Sequence, residues 1–350
     1  MELLSSMKIG YFCYLLSGTG PRTRAADIID AVATETDHEV VVLTHEPEKV
    51  RGPARVHAVS ITDPLSMLRL ARREFADADV VHVPINVYQV LFVRLVYRGS
   101  LVGGIGPGIQ PTPFHRYLGR LLGIDVKIKV LESDTIWDET GYDTEVCTAT
   151  IDTDLFHPYD GERIRELRRA RDISDDETVV LYVGKLTEGQ GAHIVDEMAR
   201  LSADDGDIRF VVAGDGPMAD TFRDRDDLTY EGFVDNKSLP EYYNLADVTV
   251  APRKFDRTSN VGLESIACGT PMISTAKGDI LDVFEDQKPY VWSDRTPEAV
   301  LETVRELASD PDFYRTQVER GHEVFDGMTL TIDSALETHL DVYEELARRR

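Results

Sequence analysis

The stretch that decides the fold is Phe255-Asp256-Arg257-Thr258-Ser259-Asn260-Val261-Gly262-Leu263-Glu264-Ser265-Ile266-Ala267-Cys268-Gly269-Thr270-Pro271. Ser259 and Asn260 are side chains that cap a helix start. Gly269 closes the helix and Pro271 forbids its continuation. The unpaired amides of such a start attract an anion. Glu264 stands about one turn inside, and Asp256 precedes it by eight positions in the loop. Two carboxylates thus flank the helix start, placed to hold the hydroxyls of a ribose and of a sugar on either side of a diphosphate. The same run also reads as a capped amphipathic helix of any α/β protein.

Working outward, short apolar runs alternate with longer amphipathic ones. Strands are expected over 8–14, 39–44, 80–84, 100–104 and 126–131, then over 178–183, 208–213, 247–251, 272–275 and 290–292. Helical segments such as 24–34, 64–76, 191–201 and 260–268 separate them. This alternation predicts two α/β domains with parallel sheets, their ligands beyond the carboxyl ends of the strands. The Pro- and Gly-bearing run Phe156-His157-Pro158-Tyr159-Asp160-Gly161 marks a boundary, giving domains 1–155 and 156–330. The segment 331–350 reads as an amphipathic helix returning to the first domain.

The run from Asp256 through Pro271 resembles glycosyltransferase family 4, which carries an acid, seven intervening residues, a Glu and a small-residue tail like Cys268-Gly269-Thr270-Pro271. The resemblance implies Glu264 as the ribose ligand and Asp256, where the family uses Glu, as the contact to the transferred sugar. Ser259, Asn260 and Val261 look like a family variant of the phosphate-facing helix start. Asp152-Thr153-Asp154-Leu155-Phe156-His157-Pro158 resembles the interdomain link. Gly184-Lys185 and Gln190-Gly191 match positions where the family grips the donor diphosphate with Arg and Lys. Lys185 keeps the charge without the bidentate fork; Gln190 has none, and Arg253 is a candidate substitute. Backbone near Phe233 would hold the nucleotide base. Gly18 and Gly20 match the phosphate and acceptor loop, although a plain strand-to-helix turn explains them equally well. The loop 103–108 lacks the His that the family often places there, and His82 and His115 read as structural. By this resemblance the fold is GT-B, two Rossmann-like domains facing across a cleft.

Composition bounds the alternatives. The net charge of −25, from 63 acidic and 38 basic residues, argues against nucleic-acid binding and resembles the acidic surfaces of halophilic proteins. Three scattered cysteines suggest neither disulfides nor a zinc site. No Ser-His-Asp set, Walker loop or metal-ligand cluster is visible, so the expected metal is none. No signal peptide or apolar run of ~20 residues is read, which points to a cytoplasmic protein. Residues 64–131 nevertheless carry nine basic against four acidic side chains. Within them, 87–98 reads first as a buried helix. Together with Arg116, Arg120, Lys127 and Lys129, it reads alternatively as a peripheral contact to an anionic membrane, on its inner face.

The resemblance implies a hexosyltransferase that moves sugar from a UDP- or GDP-sugar to a saccharide or lipid-linked acceptor, with retention and without a cofactor. Another GT-B enzyme, such as a sugar-nucleotide epimerase or a phosphorylase, and a non-catalytic nucleotide-sugar-binding paralogue are the alternatives.

Overall fold

The computed structural model describes residues 6–13, 24–84, 87–105, 123–124, 126–130, 143–147, 151–203, 206–254, 260–275, 289–327 and 331–349. The chain divides into two compact units, Met1–Thr150 with Leu330–Arg350, and Ile151–Thr329.

The first unit runs β1 (Lys8–Phe12), α1 (Arg24–Glu35), β2 (Glu39–Thr44), β3 (Arg55–Ala58), α2 (Pro64–Glu74), β4 (Val80–Pro84), α3 (Val87–Val96), β5 (Ser100–Ile105), β6 (Val126–Val130) and β7 (Asp143–Cys147). The second runs α4 (Gly161–Arg169), β8 (Thr178–Val183), α5 (Ala192–Leu201), β9 (Ile208–Ala213), β10 (Leu228–Gly232), α6 (Leu239–Leu245), β11 (Val248–Ala251), α7 (Asn260–Ala267), β12 (Met272–Ser274), β13 (Tyr290–Trp292), α8 (Pro297–Ser309) and α9 (Pro311–Gly327). The last helix, α10 (Ile332–Arg348), belongs to the first unit.

Among the described residues every strand pairing is parallel. The orders are β3-β2-β1-β4-β5-β6-β7 and β10-β9-β8-β11-β12-β13. In both units the first strand sits mid-sheet and the order reverses beside it, between β1 and β4 or between β8 and β11. That reversal is the doubly wound arrangement, with a crevice at the reversal point.

Alternation along the strands builds two cores in the first unit. Ile9, Tyr11, Val40, Val42, Val80 and Val102 face α1 and α10. Phe12, Val41, Leu43, Val81, Val83 and Leu101 face the α2 and α3 side. Such strands are apolar on both faces because helices cover both. Helix starts follow local chemistry. The Asp63 side chain accepts from Ser66 N at 3.2 Å with Pro64 in the first turn, and Thr331 Oγ1 accepts from Ser334 N at 3.3 Å.

The helix α3 corrects one expectation. Val90, Val93 and Tyr97 are buried, but Tyr88, Leu91 and Leu95 are exposed, so residues 87–98 are only half buried. Strands β3, β7 and β10, absent from the sequence reading, are all at sheet edges.

Helix α10 is held by a buried polar cluster. His82 Nδ1 and the Tyr343 hydroxyl are 2.7 Å apart, and the Tyr343 and Tyr11 hydroxyls 3.0 Å apart. The His82 ring stacks on Tyr11 and on His339. Burial, aided by nearby His339, pushes the His82 imidazole down to about 3, so it is neutral at physiological pH. His82 is therefore a core residue. Tyr343→Phe is expected to leave two buried polar groups without this shared partner, at a cost of about 2 kcal/mol or more. Urea denaturation of the variant and the wild type measures that loss.

Candidate functional site

The second unit brings the candidate residues to the carboxyl ends of β8 and β11, the point where its strand order reverses. Gly184 and Lys185 leave β8, and Pro252, Arg253 and Lys254 leave β11. Two glycines let these backbones meet. A Cβ on Gly214, after β9, would lie 1.8 Å from Gly184 O. One on Gly191, at φ +85°, would lie 2.0 Å from Pro252 O. No larger residue fits either place without moving main chain.

Hydrogen bonds then fix the loops. Gly184 N donates to Ala213 O at 3.0 Å, Leu186 N to Asp215 O at 3.0 Å and Lys254 N to Gly189 O at 3.2 Å. From beneath, the buried Tyr182 hydroxyl donates to Lys185 O at 3.1 Å and Gln190 O at 3.4 Å. Burial holds that phenol up at about 12, so it stays a donor. The Thr275 hydroxyl donates to Arg253 O at 2.9 Å. The result is a rigid rim that leaves the Lys185 side chain exposed and, among the described residues, without an ion pair. Arg253 Nη2 comes within 3.8 Å of a Cβ built on Gly184, so its guanidinium lies over the β8 turn.

Helix α7 starts at exposed Asn260 with partly buried Val261, and Glu264 lies one turn inside, buried. Its carboxylate accepts from the Tyr243 hydroxyl at 2.8 Å. Burial raises the Glu264 carboxyl to about 7, against the opposing pull of the Tyr243 hydrogen bond and the Arg253 charge. The helix end is a Schellman motif: Gly269 at φ +80°, with Thr270 N donating to Ser265 O and Gly269 N to Ile266 O, each at 3.0 Å. The Ser265 hydroxyl bonds Thr249 Oγ1 and Thr270 O at 2.8 Å, and Thr270 Oγ1 donates to Tyr243 O at 2.6 Å. Helix α7, the β11 strand and α6 are therefore one bonded block under the site.

Residues 163–324 match the family model described as glycosyl transferases group 1. Over those residues, a little under half of the chain, the second unit is similar to that family. Among curated relatives, it is 28% identical over 154 residues to an uncharacterized glycosyltransferase of Methanocaldococcus jannaschii, covering 42% of this chain and 40% of that one. It is 27% identical over 232 residues to the GDP-mannose-dependent alpha-(1-6)-phosphatidylinositol dimannoside mannosyltransferase of Mycobacterium tuberculosis, covering 59% of each. The chain spans about half the length of the curated relatives it matches. A crystal structure of a glycosyltransferase from Rickettsia africae superposes with TM-score 0.79 at 12% identity, covering 99% of this chain and 100% of that one. The fold is GT-B.

In the second unit, Gly184, Lys185, Gln190, Arg253 and Gly191 cluster on one bonded rim, with Glu264 and Asn260 on the helix behind it. Gln190 is partly buried and is held through its backbone. Phe233 stands exposed just after β10, whose Gly232 O accepts from Gly214 N at 2.7 Å. Asp256, Ser259, Gly18 and Gly20 lie outside the described residues, as do His115, Arg116 and Arg120. Among the described residues no group of His, Cys, Asp and Glu could hold a metal ion. Sequence reading missed Tyr243 as the partner of Glu264 and Tyr182 as the pin under the loop. The Tyr242-Tyr243 pair in α6 was a visible signal for the first; a lone strand tyrosine gave none for the second.

The raised Glu264 carboxyl makes a signed prediction. Its folded value, about 7, lies above the 4.5 of an exposed carboxyl. The folded state therefore binds more protons between those values, and the group's contribution is full below about pH 4.5 and lost as pH rises through 7. Glu264→Gln is expected to gain on the wild type in unfolding free energy between pH 5 and pH 8.5, by about 3 kcal/mol. Chemical denaturation at the two pH values reads the difference.

Proposed function

We propose that this chain is a glycosyltransferase that moves a hexose-type sugar from a nucleoside diphosphate, UDP or GDP, to a saccharide or lipid-linked acceptor. The observation that carries the reading is the pair of cations, Lys185 and Arg253, at the reversal point of the second sheet, with the buried Glu264 behind them. In the proposed reaction the bond from the anomeric carbon to the diphosphate oxygen breaks, the acceptor hydroxyl oxygen forms the new bond to that carbon, and the hydroxyl proton passes to the leaving diphosphate. Negative charge grows on the leaving diphosphate, and fixed cations with helix-start amides stabilise it. Asn260 and Val261 belong to that helix start, and Ser259, which precedes them in the sequence, would add to it. Glu264, ionised, would accept from the ribose hydroxyls, and Asp256 would hold the transferred sugar. Phe233 would border the base, and Gly18 and Gly20 the acceptor side. Retention follows from the family resemblance alone, and the proposed chemistry uses no metal or cofactor. The relative named as GDP-mannose-dependent supports a nucleoside diphosphate donor.

A nucleotide-sugar thermal-shift screen, followed by assay of released nucleoside diphosphate, tests the reading. Binding without release in the presence of acceptors would favour the non-catalytic alternative. Lys185→Ala is expected to weaken nucleoside diphosphate binding ~10- to 100-fold, while leaving the free nucleoside within about twofold. Equal losses for both ligands in titration calorimetry would remove Lys185 from the phosphate site.

A specific surface favours a lipid-linked acceptor. On α2 and α3, which share one face of the first sheet, Leu65, Tyr88, Leu91 and Leu95 are exposed beside exposed Arg69, Arg72 and Arg98. Among the described residues no helix is long and apolar enough to cross a membrane. Apolar side chains mixed with arginine suit peripheral contact with an anionic bilayer, on its cytoplasmic face in this reading. The protein is expected to float with anionic but not neutral liposomes. Arg69→Glu combined with Arg72→Glu should abolish flotation; retained flotation would exclude this face.

A further inference from the structure

Arg295 lies between β13 and α8, far in sequence from every residue assigned above. Its Nε donates to Pro252 O at 3.1 Å and its Nη2 to Glu188 O at 3.0 Å. Those carbonyls belong to the two loops that carry the site cations. Glu188 lies between Lys185 and Gln190, and Pro252 directly precedes Arg253. Among the described residues no carboxylate pairs with the Arg295 guanidinium. A cation half-buried against two carbonyls is not placed there by an ion pair. Its planar fork, with donors on separate nitrogens, spans the two acceptors at once, which a lysine ammonium on one flexible stem does not reproduce.

The two loops also touch where Gly191 permits contact with Pro252 O and where Lys254 N donates to Gly189 O at 3.2 Å. The Arg295 side chain bonds a carbonyl of each loop. We propose that Arg295 is a positioning residue of the donor site, setting the separation of the Lys185 and Arg253 loops so that both cations meet one diphosphate. This rests on the donor reading of the site given above. It adds a residue of the β13–α8 connection that acts through the two loops rather than by touching the ligand.

The test uses the full chain, with UDP, GDP and ADP as probes and the matching nucleosides as controls, for wild type, Arg295→Ala and Arg295→Lys. Wild type is expected to bind at least one diphosphate; if it binds none of the three, the donor reading fails and the proposal fails with it. Given wild-type binding, both variants are expected to weaken the diphosphate ~10-fold or more, with the nucleoside within twofold. Millimolar methylguanidinium should recover part of the loss in Arg295→Ala. A lysine variant that binds like wild type would show that charge alone matters and would overturn the positioning role. Unchanged diphosphate affinity, or equal loss for diphosphate and nucleoside with a lowered Tm, would make Arg295 a fold residue only and leave the donor reading intact. If the alanine variant does not fold, the lysine variant alone decides between these outcomes.

Discussion

Main chain packed directly on main chain is the constraint from which the second unit's site follows. At Gly214 against Gly184 O, and at Gly191 against Pro252 O, there is no room for even a methyl group. Three loops therefore converge at the carboxyl ends of β8, β9 and β11, joined by amide-to-carbonyl bonds and pinned by the side chains of Tyr182, Thr275 and Arg295. Lys185 is exposed on this rim, and the Arg253 guanidinium lies over the β8 turn. Loops held this closely carry their cations on a fixed frame, and fixed charges need no rearrangement when a ligand's charge develops.

Behind the rim the structure tolerates an unfavourable group. Glu264 is buried with one hydroxyl from Tyr243, and its ionised form is disfavoured by the lost hydration. The rest of its helix is held by features that do not involve the carboxylate. They are the Schellman end at Gly269, the Ser265–Thr249 hydroxyl pair and the Thr270 bond to Tyr243 O. Gly262 sits so close to β12 and β13 that a Cβ there would be 2.8 Å from Met272 Sδ and from the Tyr290 hydroxyl oxygen. A helix anchored at its end and along its face can carry a strained polar residue without shifting.

The sequence made the central strands legible and, β13 apart, the edge strands invisible, for a physical reason. Val40-Val41-Val42-Leu43 is buried on both faces and reads as a strand from composition alone. Strand β3, Arg55-Val56-His57-Ala58, has no fully buried residue, and β10, Leu228-Thr229-Tyr230-Glu231-Gly232, has only Leu228. Their pairing comes from a neighbour already in place, so local apolar content does not announce it. The same asymmetry holds at the site. The motif around Glu264, Lys185 and Arg253 was readable because side-chain type and spacing are linear information. Tyr182 under its own loop and Arg295 across 107 residues from Glu188 were not, because a carbonyl acceptor leaves no trace in the residue that bears it. The acidic composition was no guide to the arginine-bearing face of α2 and α3, since net charge averages over patches.

Helix α10 makes the first unit discontinuous in sequence. Ala335, Leu336, Val342, Tyr343 and Leu346 complete a core whose other members are supplied by residues 7–102. On the ribosome this inverts the usual order. The second unit, Ile151–Thr329, emerges whole while the first still lacks one wall of its core. At ~5–20 residues per second, the nascent first unit waits roughly 10–40 s for its missing helix. During that interval the apolar surface of Ile9, Tyr11, Val42 and Val80 faces solvent or a chaperone. Of the two units, the one that begins first is completed last.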